Sequence, residues 1–216
     1  MLIYLLVSFV WWQWLSITVV TSGYHRYFAH KSFHAPVWYE VYVLSLGSLT
    51  GSGPLLGWAG IHRMHHRHTE TEKDPHSPRF VGMWKVLTST FKAPHIDRRY
   101  IRDLMRNKRV MFFFKHHDTI QTWLFIAFLI FAVAISWQWA LVFFVSPMIY
   151  SYIGFGLINA FAHDADGAKN SQLINILAAG DGFHKNHHDK PSDWKIGKQW
   201  HEFDPGAIFI RMIKSD

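Results

Sequence analysis

Residues 119–162 run for 44 positions without an Asp, Glu, Lys or Arg. An α-helix needs roughly 20 apolar residues to cross a bilayer core, so this run reads as two spans joined by a tight turn. The polar break Ser136-Trp137-Gln138-Trp139 places the turn. Its tryptophan pair suits the boundary between membrane and water. Spans at about 120–136 and 140–161 form a hairpin that returns the chain to its starting side.

Residues 2–22 are a third uncharged apolar stretch. At ~1.5 Å per residue it makes a helix of roughly 31 Å, long enough to cross. A cleaved leader would begin with a basic region. This segment has none and runs straight into a histidine pair, so it reads as a retained span. Residues 37–60 are apolar but differ in kind. Glu40 interrupts the start, and Gly47, Gly51, Gly53, Pro54, Gly57 and Gly60 break the second half. They predict a helix of about 14 residues from Val37, an irregular turn, then a new helix. Such a length suits a re-entrant or interfacial segment, here 37–57, better than a crossing.

The charge is partitioned accordingly. The net charge of +7 coexists with 50% hydrophobic residues. Of the 22 Lys and Arg, two lie in 24–34, 13 in 61–118 and seven in 163–216. That is the pattern of a membrane protein with its polar mass on one side. The basic cluster Arg98, Arg99, Arg102, Arg106, Lys108 and Arg109 reads mainly as a solvated face. One or two of its members suit phosphates of a substrate headgroup, an acidic redox partner or anionic lipid. Attachment to membrane spans argues against nucleic acid.

Histidines sit where the spans end. His62-Arg63-Met64-His65-His66 and His184-Lys185-Asn186-His187-His188 share one His-x-x-His-His pattern, and His25 and His30 form a looser pair. Residues at i, i+3 and i+4 share a helical face, so each triplet projects together. His25 and His30, five apart, do not share a face of a regular helix. They fit a helix end, with His25 on the last turn and His30 just past it. Asn159 and His163, four apart at the end of the hairpin, are expected on one helical face. Neutral imidazole is a good ligand for iron, zinc, copper or nickel. One ion takes about four such ligands, so these nine histidines imply two ions. The chain has no Cys, which excludes thiolate and iron–sulfur sites. Asp74, His76 and Asp181 are candidates for orienting the ligating imidazoles. An ordinary polar turn explains Asp74 and His76 equally well.

The motifs together resemble the integral-membrane fatty acid desaturases, and within them the stearoyl-CoA desaturase type with its bacterial acyl-lipid relatives. The flanks carry the likeness further: Gly23-x-His25-Arg26, His62-Arg63-x-His65-His66 followed by Asp74-Pro75-His76, Gly180-Asp181-Gly182-Phe183-His184, and Asn159-x3-His163. The resemblance covers about residues 15–205. It implies an all-α integral membrane fold whose transmembrane helices carry a cytoplasmic helical cap, 61–118 and 163–216, on a single domain spanning 1–216. It implies a di-iron centre on His25, His30, His62, His65, His66, His163, His184, His187 and His188, with Asn159 reaching one iron through water. On that analogy His25, His30, His62 and one of His65 or His66 hold one iron, joined by one histidine from the third box. His163 and the rest of the third box hold the other. The implied reaction is O2-dependent formation of a cis double bond, delta-9 in type, in an acyl chain carried on CoA, acyl carrier protein or lipid. Electrons would come from a small donor such as a b-type cytochrome or ferredoxin with its reductase. Trp58, Trp84 and Phe161 are candidate walls of the acyl tunnel, with core packing as the commoner role for any one of them.

The family has four spans. Here the chain begins directly with the span before the first histidine pair, so the family's first span has no counterpart, which leaves three and puts the N-terminus on the far face. Two other classes compete. A hydroxylase on a related di-iron site shares the motifs. A metal transporter would hold its ligands near the bilayer midplane, whereas these boxes lie at the ends of spans beside charged residues.

Overall fold

In a computed structural model the described residues are 1–92, 94–164 and 167–215. Ala93, Ala165, Asp166 and Asp216, which fall inside the two expected cap stretches, lie outside them. The first helix, α1, runs over Leu2–Ala29 and is long and apolar enough to cross a membrane. It extends seven residues past the expected end at Ser22. The reason is burial. From Ser16 onward almost every side chain is covered by other parts of the chain, so nothing stops the helix where the apolar run ends. This half is wound as a π-helix. Its widened winding closes with a bond from the His30 N–H to the His25 carbonyl at 3.0 Å.

Helix α2 (Val37–Leu46) passes through a 3-10 turn at Gly47–Thr50 and then breaks. Gly51 and Gly53 adopt φ of 69° and 72°, a conformation that costs glycine little and other residues more. Pro54 then precedes α3 (Leu55–His68), which carries the second histidine box. The ends of this excursion meet again, because His30 Nε2 lies 2.7 Å from His62 Nε2. Glu40 is not left facing lipid. Its carboxylate accepts from Arg109 Nε and Nη2, both at 3.0 Å, and from Asn107 Nδ2 at 2.6 Å.

The basic block folds into α4 (Met83–Leu87), α5 (Arg102–Arg106) and α6 (Lys108–Lys115). Helices α7 (His117–Ala134) and α8 (Trp137–Phe161) then form the second and third candidate spans. The break between them falls at the expected serine, whose hydroxyl accepts from the Trp139 N–H. A two-residue hairpin, β1 (His163–Asp164) with β2 (Gly167–Ala168), follows. Three short helices complete the chain: α9 (Gln172–Leu177), α10 (His184–Asp189) and α11 (Pro205–Ile213).

One core ties these parts together. Leu15, Val19, Tyr24 and Phe28 of α1 meet Tyr39 and Val43 of α2, Leu55 and Leu56 of α3, Val110 of α6 and Ile210 of α11. Each such buried side chain contributes about 2 kcal/mol. Helix α8 presses on α4 where Gly156 leaves no room, since a Cβ there would collide with the Leu87 carbonyl oxygen. Overpacking of this kind costs ~1–3 kcal/mol. Gly156→Val is therefore expected to lower the melting temperature of the detergent-solubilised protein by several degrees. Gly57→Ala, whose Cβ would meet nothing within 4 Å, is expected to leave it unchanged.

Candidate metal centre

The fold gathers nine histidines from four places at one end of α1 and α8. They divide into two groups, in each of which the ligand atoms lie within 4.8 Å of one another. His25, His30, His62, His66 and His187 form the first, and His65, His163, His184 and His188 the second. Helical spacing aligns each His-x-x-His-His triplet, but packing divides it. His66 turns to the group of the first box while its neighbour His65 turns away. His187 crosses over from the third box. The open question of which of His65 or His66 joins the first group is thereby answered geometrically. The first box lies at a helix end as expected, with His25 in the last turn of α1 and His30 just past its end at Ala29. The wider winding of α1 brings the His25 and His30 rings to 5.1 Å between centroids, although five residues would separate them on a regular helix.

Carboxylates set the direction of these rings. Asp74 Oδ1 and Oδ2 each lie 3.0 Å from His65 Nδ1. Asp181 Oδ2 lies 3.3 Å from His25 Nδ1 and accepts from the Thr21 hydroxyl at 2.9 Å. Glu70 Oε1 lies 3.2 Å from His163 Nδ1, but the two make no hydrogen bond. A carboxylate only accepts, so the Nδ1 atoms of His65 and His25 carry the proton and their Nε2 atoms keep the lone pair. Those lone pairs converge. His187 Nε2 lies 2.9 Å from both His25 Nε2 and His66 Nε2, and His188 Nε2 lies 3.1 Å from His184 Nε2 and 3.3 Å from His65 Nε2. One proton cannot satisfy so many acceptors. Among the described residues, neither ring nitrogen of His163, buried in the second group, has a hydrogen-bond partner. Converging lone pairs with no donor between them are the chemistry of a cation site, and imidazoles without thiolates suit iron or zinc.

Eight of the nine histidines are held neutral, as ligation requires. Burial, reinforced by neighbouring imidazoles, pushes His30, His66 and His188 down to about 2. It drives His62, His65, His184 and His187 well below the ordinary range. His163 falls to about 4 and His76 to about 3, again chiefly through burial.

Two cavities adjoin the histidines. One of about 430 Å³ is lined by Trp58, Tyr152, Phe155, Asn159, His62 and His76, among others, and reaches up to the turn at Gly51 and Pro54. The other, about 660 Å³, has Phe161 and His163 in its wall, with Glu70, Arg79 and Lys169 near them. Trp58 stacks on His62 at 5.0 Å. Trp84 belongs to neither wall. It is 73% exposed, because Val86 takes the inward position on the short α4. Asn159 and His163 also do not share a helical face. The helix ends at Phe161, and His163 pairs with Ala168 in the hairpin. Asn159 nevertheless faces the smaller cavity beside His62. His76 stacks on His65 at 4.3 Å.

Sequence reasoning missed Glu70, Arg26 and Asp204. Glu70 sits at φ 58°, a strained backbone that no motif announces. Arg26 carried the one available signal, a charge directly beside a ligand at the end of an apolar run. Asp204 gave none.

The comparisons agree with this geometry. The sequence model of the fatty acid desaturase family matches residues 6–206, and the chain belongs to that family. It is 28% identical over 211 residues to a probable acyl-CoA desaturase of Schizosaccharomyces pombe, covering 88% of this chain and 43% of that protein. It is 29% identical to the sn-1 stearoyl-lipid 9-desaturase of Anabaena variabilis, covering 90% and 75%. It is 30% identical to the sn-2 palmitoyl-lipid 9-desaturase of a Nostoc species, covering 97% and 78%. The chain thus spans less than half of the yeast relative and about three quarters of the two bacterial ones.

Asp74→Ala removes the acceptor from His65 Nδ1 and frees the ring to rotate or change tautomer. Outer partners of this kind are worth ~10–100-fold in metal affinity, and a loss of that size is expected in a Co2+ titration. The pH dependence has a definite sign. Unfolded histidine takes up a proton near pH 6.5, the folded ones only at far lower pH. The stability of metal-free protein is therefore complete above about pH 6.5 and falls as the pH drops toward 4. Asp74, raised to about 6 by burial, takes up one proton in that window and offsets the loss only in part. Melting temperatures of chelator-treated protein should fall steadily from pH 7 to 4. A flat or rising profile would contradict the buried-neutral assignment.

Proposed function

We propose that this chain is an O2-dependent di-iron desaturase that introduces a cis double bond, at carbon 9, into a saturated fatty acyl chain. The observation that carries the reading is the division of nine buried or half-buried imidazoles into groups of five and four beside an apolar cavity. Each group offers at least the four ligands one ion needs, and the cavity suits an unbranched hydrocarbon. The names of the relatives support the substrate class and the position.

Two iron ions, when bound, supply the redox chemistry that an unactivated C–H bond requires and that side-chain acids and bases do not. Overall, a CH2–CH2 unit, O2, two protons and two electrons give a CH=CH unit and two waters. The chain's own residues do the rest. His25, His30, His62, His66 and His187 would hold one ion, and His65, His163, His184 and His188 the other, with Asn159 beside the cavity that His62 lines. Asp74 and Asp181 keep the ligating Nε2 atoms of His65 and His25 unprotonated. Trp58, Tyr152 and Phe155 wall the acyl chain and exclude water from it, and Phe161 borders the wider opening.

The chain is read as a multi-pass membrane protein. Helices α1 and α8 both end at the histidines, and 20 of the 22 Lys and Arg follow those ends in 61–118 and 163–216. That bias supports a site on the cytoplasmic face. The acyl chain arrives on CoA, acyl carrier protein or lipid. The electrons come from a small carrier such as a b-type cytochrome or a ferredoxin with its reductase.

The test is the fatty-acid profile of a host that makes only saturated acids and supplies a reductase chain. A monounsaturated acid is expected with the wild type and not with His187→Ala. Mass spectrometry then gives the position of the double bond. A hydroxy acid as the product would move the assignment to a hydroxylase.

A further inference from the structure

Arg26 is the largest fully buried side chain of the protein, at 1% exposure. It follows His25 directly, yet it touches no histidine. Its Nη1 donates to Asp204 Oδ1 at 2.9 Å, to Oδ2 at 3.1 Å and to the Trp194 carbonyl at 2.8 Å. Its Nη2 reaches Asp181 Oδ1 and the Gly180 carbonyl, each at 3.4 Å. Asp181 thus has one oxygen toward His25 and Thr21 and the other toward the guanidinium. Asp204 is in turn clamped by the N–H groups of Ile196, Gly197 and Ala207 at 2.9, 3.2 and 2.9 Å. Gly206 closes the contact, because a Cβ there would lie 2.9 Å from the guanidinium carbon.

We propose that Arg26, locked by Asp204, is the positioning residue of the five-histidine group, so that the C-terminal segment 194–207 belongs functionally to the metal centre though it supplies no ligand. The physical route is short. The Asp181 carboxylate sets the His25 tautomer, and a carboxylate held at one oxygen only is free to rotate. A planar guanidinium braced by Asp204 removes that freedom. Lysine, a point charge without the fork, cannot span both carboxylates in the same way. The second group, built on His65 with Asp74 and on His163 with Glu70, has no contact with Arg26. The effect is therefore selective for one site of two.

This inference rests on the two-ion reading, and Co2+ titration of the full chain in lipid nanodiscs separates the two. The wild type is expected to bind two Co2+, with His187→Ala and His184→Ala each marking the loss of one group. Asp204→Asn, Arg26→Lys and Gly206→Ala are each expected to weaken one Co2+ by ~10–100-fold and to leave the other at wild-type affinity. The retained absorption spectrum should be that of His187→Ala. Equal weakening of both ions, with a lower melting temperature of the metal-free protein, would reduce Arg26 to a structural role and overturn the proposal. Unchanged binding of both ions in Asp204→Asn would overturn it as well. A wild type that binds no Co2+ would remove the two-ion reading itself, and the proposal with it.

Discussion

Nine imidazole lone pairs pointing at two small volumes are an electrostatic demand that the rest of the structure serves. Buried neutral imidazoles need a donor or a cation at each free nitrogen, and among the described residues no donor other than the imidazoles themselves faces them. Carboxylates stand behind two of the rings, fix the protons on the far nitrogens and leave the near ones open. Asp74 does this for His65 and Asp181 for His25. Such an arrangement is costly without a metal, because burial opposes the charge that protonation would bring. It becomes favourable when a cation enters, and the site is built for that state.

The membrane helices explain how the demand is met. A helix that crosses a bilayer is rigid and has no unpaired backbone within the lipid. Extending α1 beyond the bilayer carries that rigidity into the site, and the π-helical winding rotates His25 and His30 toward each other. Helix α8 ends one residue short of His163 because the hairpin takes over, so the ninth histidine is placed by a strand pair. Between them the excursion through α2 and α3 returns to its start, and its one acidic residue, Glu40, pairs with Arg109 and accepts from Asn107. Charge that would be expensive in lipid is used to fasten the basic block to α2.

The smaller cavity lies between these two systems. Its aromatic wall comes from α3 and α8, the same helices that position His62 and approach His163. Ligand placement and substrate placement are thus tied to the same rigid elements, which is what a reaction at one bond of a featureless chain requires. Burial of Ile210 in the common core brings the last helix against α1. The C-terminal segment then reaches the site through Arg26 and Asp204 rather than through any ligand.

Much of this was legible in the chain itself. The 44-residue uncharged run specified a helical hairpin and its turn at Ser136. The glycines at 51 and 53 specified the break before the second box. The i, i+3, i+4 histidines specified two triplets on single helical faces, and the histidine count called for more than one group of ligands. These are local properties, and helical geometry alone connects them to structure. What only the tertiary structure decided is how the triplets divide, with His66 and His187 in one group and His65, His184 and His188 in the other. It also decided that Trp84 faces away, that the helix stops before His163, and that Glu70, Arg26 and Asp204 stand behind the ligands. The reason is that these are contacts between residues far apart in sequence, up to 178 positions for Arg26 and Asp204. No local pattern marks an ordinary carboxylate as the one that packing will bring to a histidine.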